Sequence, residues 1–208
     1  MPKNQPVEVL FELMRGRRSI RRFRDEAVQE ELLLRLVEAA TWAPSAGNRQ
    51  DWFFSVVTSP DLARRMADAV RARWDSIIAA NRGSGIVGEV EQYVAHFADF
   101  AAAPAVIVVS ARSVDAVQRH LLGDDAAATV GSACSAAMAA QNLMLAAHAL
   151  GLATCCMTGA LAARDDFCRL LELSAKHEIV CLIAVGWADQ TPAPPARKPV
   201  SEIARCWP

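Results

Sequence analysis

The chain has 208 residues, 53% hydrophobic and 22% charged, enough apolar material for one substantial core and far from a disordered composition. Its 22 Lys+Arg against 23 Asp+Glu leave a formal net charge of -1, which argues against a general nucleic-acid or membrane-surface binder. The N-terminus, MPKNQPVEVLFELMRG, has no apolar run of the signal-peptide kind, so a cytoplasmic location is expected.

In chain order, residues 7–16 place Val7, Leu10, Phe11 and Met14 at helical spacing, with Gly16 as a C-terminal cap. A stronger helix follows over 25–44, where Leu32, Leu33, Leu36, Val37 and Ala40 form one apolar face and Pro44 bars continuation. Turn chemistry (SAGN) leads into the β-rich run WFFSVVT, closed by Ser59-Pro60. Helical periodicity returns over 60–81, breaks at NRGSGIVGE, and resumes over 90–102. PAVIVVSA is apolar throughout and reads as a central strand. A short helix is expected over 114–123 and a long small-residue helix over 126–150, ending at Gly151. LATCCMTG carries a short strand, 163–173 a helix, and HEIVCLIAVG a further strand. The proline-rich tail, 190–208, is expected to wrap over the surface or over a partner subunit. There is no internal repeat and no linker, so 1–208 reads as a single domain. Helices outnumber irregularly spaced strands, which predicts an α+β fold: one central mixed or antiparallel sheet with helices on both faces.

Three features invite misreading. No Asp, Glu, Lys or Arg occurs from Ala126 to Ala163, a length able to span a bilayer. That stretch is alanine-rich, contains Ser132, Ser135, Gln141, Asn142 and His148, and lacks basic anchors, so no membrane span is expected; it reads as a helix buried on nearly all sides within an assembly. The six cysteines show no C-x-x-C spacing and read as buried free thiols, and no metal site is expected. GSGIVG, Gly83 to Gly88, matches the dinucleotide fingerprint G-x-G-x-x-G, but the segment before it reads as helix and no acid lies between Phe100 and Val114; a loop between helices is the better reading.

The charge concentrates in RRSIRRF, Arg17 to Phe23, followed by Arg24. Guanidinium forks suit phosphate oxygens and a serine hydroxyl adds a short donor, so the stretch either grips an anion or is a solvated face. APSAGNRQDW sets Ser45, Asn48 and Gln50 in a loop between helix and strand, and PPARKPVSE sets Arg197 and Lys198 in a stiffened tail.

Together, RRSIRRF, the following V-x-x-E-x-L, EAATWAPSAGNRQDWFFSVV, AAQNLMLAAHALGLATCCMTG and ARKPVSEI resemble the FMN-dependent nitroreductase family, in the family's order and across nearly the whole chain. The resemblance implies an α+β homodimer, with the long helix at the dimer interface, an extended C-terminal tail, and FMN bound between the subunits. It implies that Arg17 and Ser19 hold the phosphate and ribityl end, with Arg18 beside them, and that Arg21 approaches the pyrimidine edge. Pro44, Ser45, Ala46, Asn48 and Gln50 of the partner would line the flavin. Met157, Thr158 and Gly159 would pass the ring edge near N5, and Arg197 and Lys198 would return to the phosphate. No protein nucleophile is needed: NADH or NADPH reduces FMN, which passes electrons to a nitroaromatic, quinone or similar electron-poor acceptor. Related readings on the same fold are a flavin-degrading, dimethylbenzimidazole-forming enzyme and a reductive dehalogenase. A non-catalytic nucleic-acid or phospholigand module is the reading from another class. Asp51 stands where many members have proline, and CCMTG lacks an acid that one branch carries.

Overall fold

A computed structural model describes residues 5–83, 87–112 and 126–207. In chain order it contains α1 (Gln5–Gly16), α2 (Glu30–Thr41), β1 (Trp52–Val57), α3 (Pro60–Ala80), α4 (Val87–Val94), β2 (Ala105–Arg112), α5 (Ala126–Ala149), β3 (Ala153–Met157), α6 (Arg164–Leu170), β4 (His177–Gly186) and the one-turn α7 (Val200–Ile203). The short helix expected over 114–123 lies outside the described residues.

The four strands form one sheet in the order β1-β2-β4-β3, and every ladder is antiparallel. The α+β expectation holds, with an antiparallel sheet. β2 is central, as its unbroken apolar run predicts, because side chains alternate across the sheet and both faces are covered. Ile107 and Val109, with Ile183 and Val185 of β4, face Leu33, Leu36, Ala40, Ala136, Ala139, Ala140 and Leu143 of α2 and α5. Val106 and Val108, with Leu182 and Ala184, face Met66, Val70, Phe100 and Phe167 on the opposite side. Phe100 and Phe167 meet edge to face at 6.3 Å, a favoured aromatic arrangement.

Two sequence expectations change. The helix expected over 25–44 begins only at Glu30 and ends at Thr41. The helix expected over 90–102 instead begins at Val87 and ends at Val94, and Asp99–Ala102 forms a separate 3-10 turn that buries Phe100. The apolar face of α1 is not buried within one chain: Val7, Leu10, Phe11 and Met14 are 46–51% exposed. This chain by itself covers α5, expected to be buried within an assembly, on one side: Ala136, Leu143 and Ala147 are fully covered, while Val130 and Met138 are 52% and 41% exposed. Val130–Ala149 has the length and apolarity to cross a bilayer, yet its covered side is part of the core.

The arginine-rich stretch is extended and docks on the sheet. Ser19 forms a parallel bridge to Thr154 of β3, and the Ile20 N–H donates to the Thr154 carbonyl at 3.0 Å. Phe23 bridges Ala188, the Arg24 N–H donates to Trp187 at 2.9 Å, and the Asp189 N–H donates to Arg22 at 3.0 Å. These bonds satisfy backbone groups that the sheet edge would otherwise leave unpaired. Gly186, at the end of β4, is required by this docking: a Cβ there would lie 2.6 Å from Pro104 Cδ and 2.9 Å from Phe23 Cδ1.

Gly186→Ala should therefore lower unfolding free energy by about 1–3 kcal/mol, the usual cost of overpacking, with an unchanged urea m-value. An unshifted midpoint would mean that Phe23 is not held against β4.

Candidate functional site

Five arginines lie within eight residues at the β3 edge, and among the described residues none of Arg17, Arg18, Arg21, Arg22 or Arg24 forms an ion pair with a carboxylate. Such a cluster is self-repelling unless an anion joins it. Not all five point to a common place. Arg18 turns back on α1, its guanidinium donating to the Arg15 carbonyl and to the Arg17 carbonyl at 2.9 Å, where a cation suits a helix C-terminus. Arg24 donates to the Ala188 carbonyl at 3.1 Å. Arg17 and Arg18 line a cavity of about 480 Å³ with His148, Thr154 and the start of the tail at Gln190–Pro194. Burial lowers the His148 pKa, and the Arg17 and Arg18 charges lower it further, so its imidazole is held neutral beside the cations.

Arg17 and Arg21 also act on β3. Cys155 is buried, which raises its thiol pKa against the opposing pull of Arg21 and Arg17. Cys156, on the alternate face, is exposed and receives a hydrogen bond from the Cys181 thiol. That bond lowers the Cys156 pKa to about 7 against the effect of burial, with Arg17 helping, and it pushes the Cys181 thiol up. All six cysteines are free, but only Cys155 and Cys181 are buried, which corrects the expectation of uniformly buried thiols. Met157 ends β3, and Thr158 and Gly159 begin a 3-10 turn. Ser19 thus docks at Thr154, near the start of β3, whereas Met157, Thr158 and Gly159 stand at its far end and do not line the cavity at Arg17 and Arg18.

The second segment lies elsewhere in the same chain. Pro44, Ala46, Asn48 and Gln50 are exposed and Ser45 is half-buried. The Ser45 hydroxyl accepts from the Gln50 N–H at 3.1 Å, and the Ala46 N–H donates to Ser135 Oγ at 3.3 Å. Asn48 and Gln50 both take φ of 52°, an uncommon conformation for residues with side chains. Asp51 pairs with Arg49 at 2.9 Å and its carbonyl accepts from the Arg112 N–H at 2.7 Å, so it ties this loop to β2. The loop meets α5 at Ser135, whereas Gly16, next to Arg17, meets α5 at His148. Those positions are thirteen residues apart, about 20 Å along a helix. β1 and β3 are also opposite edges of the sheet. One chain therefore does not close the loop over the arginines. Arg197 and Lys198 are exposed beyond the part of the tail that lines the cavity.

The donor chemistry fits a phosphorylated cofactor: uncompensated guanidiniums, a serine hydroxyl and a cavity of adequate size. The sequence reading missed Trp74 and Phe97, which pack against Gly159, and the Cys156–Cys181 pair. Their sequence separations gave no signal, because strand pairing and helix packing bring them together.

Cys156 should show alkylation half-maximal near pH 7, followed by peptide mapping because Cys134 and Cys206 are also exposed. Cys181→Ala removes the donor and should move that midpoint up toward the ordinary thiol value. A midpoint that does not move would exclude the thiol–thiol hydrogen bond as its cause.

The nitroreductase family model matches residues 14–187. The iodotyrosine dehalogenase 1 homolog of Caenorhabditis elegans is 26% identical, over 96% of this chain and 62% of that protein, so the chain spans less than two thirds of that relative's length. Among solved structures, a BluB-like flavoprotein from Clostridium difficile 630 superposes with a TM-score of 0.83 at 24% identity, covering 96% of this chain and 99% of that one. The FMN-dependent nitroreductase NfnB from Mycobacterium smegmatis, in complex with NADPH, superposes with a TM-score of 0.70 at 24% identity, covering 98% and 100%. At those identities the superpositions speak to fold. The match in sequence runs from the last turn of α1, through the docked arginine stretch and the whole sheet, to the residue after β4, and the chain belongs to the nitroreductase family.

Proposed function

We propose that the protein is an FMN-dependent NAD(P)H oxidoreductase acting on nitroaromatics, quinones or similar electron-poor acceptors, and that it works as a homodimer with FMN between the subunits. The observation that carries this reading is the row of carboxylate-free arginines docked at Thr154 and on the segment after β4, beside the cavity that Arg17 and Arg18 line. The names of the similar proteins add to it: NfnB is FMN-dependent and was seen with NADPH, and the Clostridium difficile neighbour is a flavoprotein.

In this reading Arg17 and Ser19 bind the phosphate and ribityl end, with charge-assisted bonds stronger than neutral ones. Arg21 sits toward the pyrimidine edge, where a cation favours the charge that accompanies reduction. Arg18 shapes the wall by capping α1 rather than by offering its guanidinium. Met157, Thr158 and Gly159 present backbone groups to the ring edge. The bound flavin supplies the two-electron chemistry; the chain's own groups position, compensate charge and exclude water.

The missing wall comes from a second copy, whose Pro44, Ser45, Ala46, Asn48 and Gln50 cover the flavin. The separation of that loop from the arginines within one chain supports this, as do the uncovered apolar faces of α1 and α5. Arg197 and Lys198 complete the phosphate contacts once the tail is held by the partner.

A second reading, reductive dehalogenation, keeps the same residues and is favoured by the likeness to the Caenorhabditis elegans protein across nearly this whole chain. Assay of purified protein with NAD(P)H against a nitroaromatic, a quinone and an iodinated phenol separates the two. The oxygen-dependent breakdown of reduced FMN to dimethylbenzimidazole tests the flavin-degrading alternative.

Purified protein should carry non-covalent FMN. Arg17→Ala should weaken FMN binding about ten- to a hundredfold, while Arg24→Ala should change it about twofold or less. Equal losses would indicate a diffuse field rather than a shaped site.

The shared site predicts subunit complementation. Arg17→Ala and Asn48→Ala proteins, unfolded together and refolded, should recover about a quarter of the wild-type flavin sites, because half the dimers are mixed and each mixed dimer holds one intact site. No recovery above either variant alone would place both segments in the same subunit's site.

A further inference from the structure

Two neighbouring strands each carry a thiol on the same face of the sheet. Beyond the single bridge from Ser19 to Thr154, β3 pairs only with β4 among the described residues, so its far part is a sheet edge. Cys156 lies opposite Ile183, and Cys181 stands two residues from Ile183 on the same face. The two cysteines are therefore diagonal neighbours across the ladder, which ends at Met157 and Leu182. Beside Cys181 the β2–β4 register slips: Val109 pairs with Cys181 but Ser110 with Ile179, leaving Val180 as an extra residue. A bulge of this kind bends its strand and re-aims the side chains next to it.

The two thiols differ in surroundings. Cys181 is 4% exposed, in the core under α2 and α5, whereas Cys156 is open to solvent. A buried cysteine serves as a small apolar filler, and packing alone accounts for Cys181. Packing does not account for Cys156, an exposed thiol that accepts a hydrogen bond from a second thiol and whose thiolate the Arg17 charge favours. Cys155 cannot take the place of Cys156, because it faces the core on the other side of the sheet.

We propose that Cys156 and Cys181 are a reversible redox pair, in which hydrogen peroxide oxidises Cys156 and Cys181 then closes a disulfide between β3 and β4. The Cys156 thiolate attacks one peroxide oxygen and the O–O bond breaks. The leaving hydroxide takes up the proton that the Cys156 thiol released, giving water, and Cys156 is left as a sulfenic acid. The Cys181 sulfur attacks the Cys156 sulfur, the S–O bond breaks, and hydroxide departs with the Cys181 proton as a second water. Two thiols and one peroxide thus give one disulfide and two waters, with two electrons passing from sulfur to oxygen. The first step readies the second. The hydrogen bond to the Cys156 thiolate and the thiolate's charge both hold the proton on Cys181, and both effects end once Cys156 is oxidised. Diagonal partners stand about 7–8 Å apart at Cα, at the outer reach of a disulfide, so the bridge draws the end of β3 toward Cys181. A bridge closed against a strand in this way is readily reopened by a dithiol.

The test treats purified protein with a small excess of hydrogen peroxide, alkylates the remaining thiols and maps the unreduced digest by mass spectrometry. A peptide joining Cys156 to Cys181 should appear, and dithiothreitol should remove it from the native protein. Cys156 should be consumed about tenfold faster than the exposed Cys134 and Cys206, because a thiol titrating at about 7 is far more ionised at neutral pH than an ordinary one. Cys181→Ala should abolish the bridge and raise dimedone labelling of Cys156 severalfold, since its sulfenic acid then has no thiol to resolve it. If Cys181→Ala does not fold, Cys156→Ser, at an exposed position, serves instead: Cys181 should then stay a thiol under the same treatment.

A bridge from Cys156 to Cys155, or to Cys156 of a second copy, would overturn the proposal. So would an unreactive Cys156, its passage to sulfinic acid with no bridge formed, or Cys181 oxidised as fast in Cys156→Ser as in wild type. No step uses a cofactor, so failure of the flavin reading would leave these outcomes unchanged.

Discussion

Backbone hydrogen bonds between an extended basic segment and the edge of the sheet are the constraint on which the rest of this molecule depends. Side-chain repulsion would drive five neighbouring guanidiniums apart in a free loop. Here the Ile20, Arg22 and Arg24 backbones are paired with Thr154, Asp189 and Trp187, and Ile20 is buried. Net gains of about 0.5–1.5 kcal/mol per bond, with the burial of Ile20, hold the segment straight despite its charge. Arg17 still donates its N–H to the Leu13 carbonyl at the end of α1, and beyond it Ile20 is left to the core while Ser19 and Arg21 stay exposed.

That docking explains why a small glycine, two prolines' worth of tail and a strand end matter to the same site. Gly186 admits Phe23, the segment from Trp187 to Asp189 accepts the far end of the stretch, and Gln190–Pro194 closes one side of the cavity. The Met157–Gly159 turn, at the other end of β3, is held by Trp74 of α3 and by Phe97 after α4. Charge, cavity and turn are thus fixed by three independent parts of the chain. The loop at Pro44–Gln50 belongs to a fourth, at the far end of α5, and in the proposed dimer it would serve this cavity from the second subunit. The uncovered faces of α1 and α5 agree with that geometry, since apolar side chains at 41–52% exposure at helical spacing are what a partner covers.

The thiols illustrate how environment divides identical residues. Cys155 and Cys156 are neighbours on β3, but strand alternation sends one into the core under α3 and the other toward Cys181 and the opposite face. Burial keeps the first protonated. A hydrogen bond and a nearby guanidinium favour the thiolate of the second.

The sequence alone determined what local chemistry can determine. The β2 run from Ala105 to Ala111 had to be a doubly covered strand, because it offers no polar residue for water until Ser110. Within 25–44 the apolar face from Leu32 to Ala40 had to be helical and to end before Pro44, though the helix starts only at Glu30, and the RRSIRRF, PSAGN and CCMTG segments could be matched to a family because their residue order is itself the signal. It did not determine where α4 ends, since Val94 to Phe97 keeps helical periodicity while the chain must turn to bury Phe100. Nor did it show that the α1 face stays open, because periodicity reports an amphipathic helix and says nothing of which chain covers it. The pairing of Trp74 with Gly159, of Cys156 with Cys181, and the distance from Ser135 to His148 were decided only by tertiary structure: each joins residues whose proximity depends on strand register and helix packing, long-range relations that no window of sequence contains.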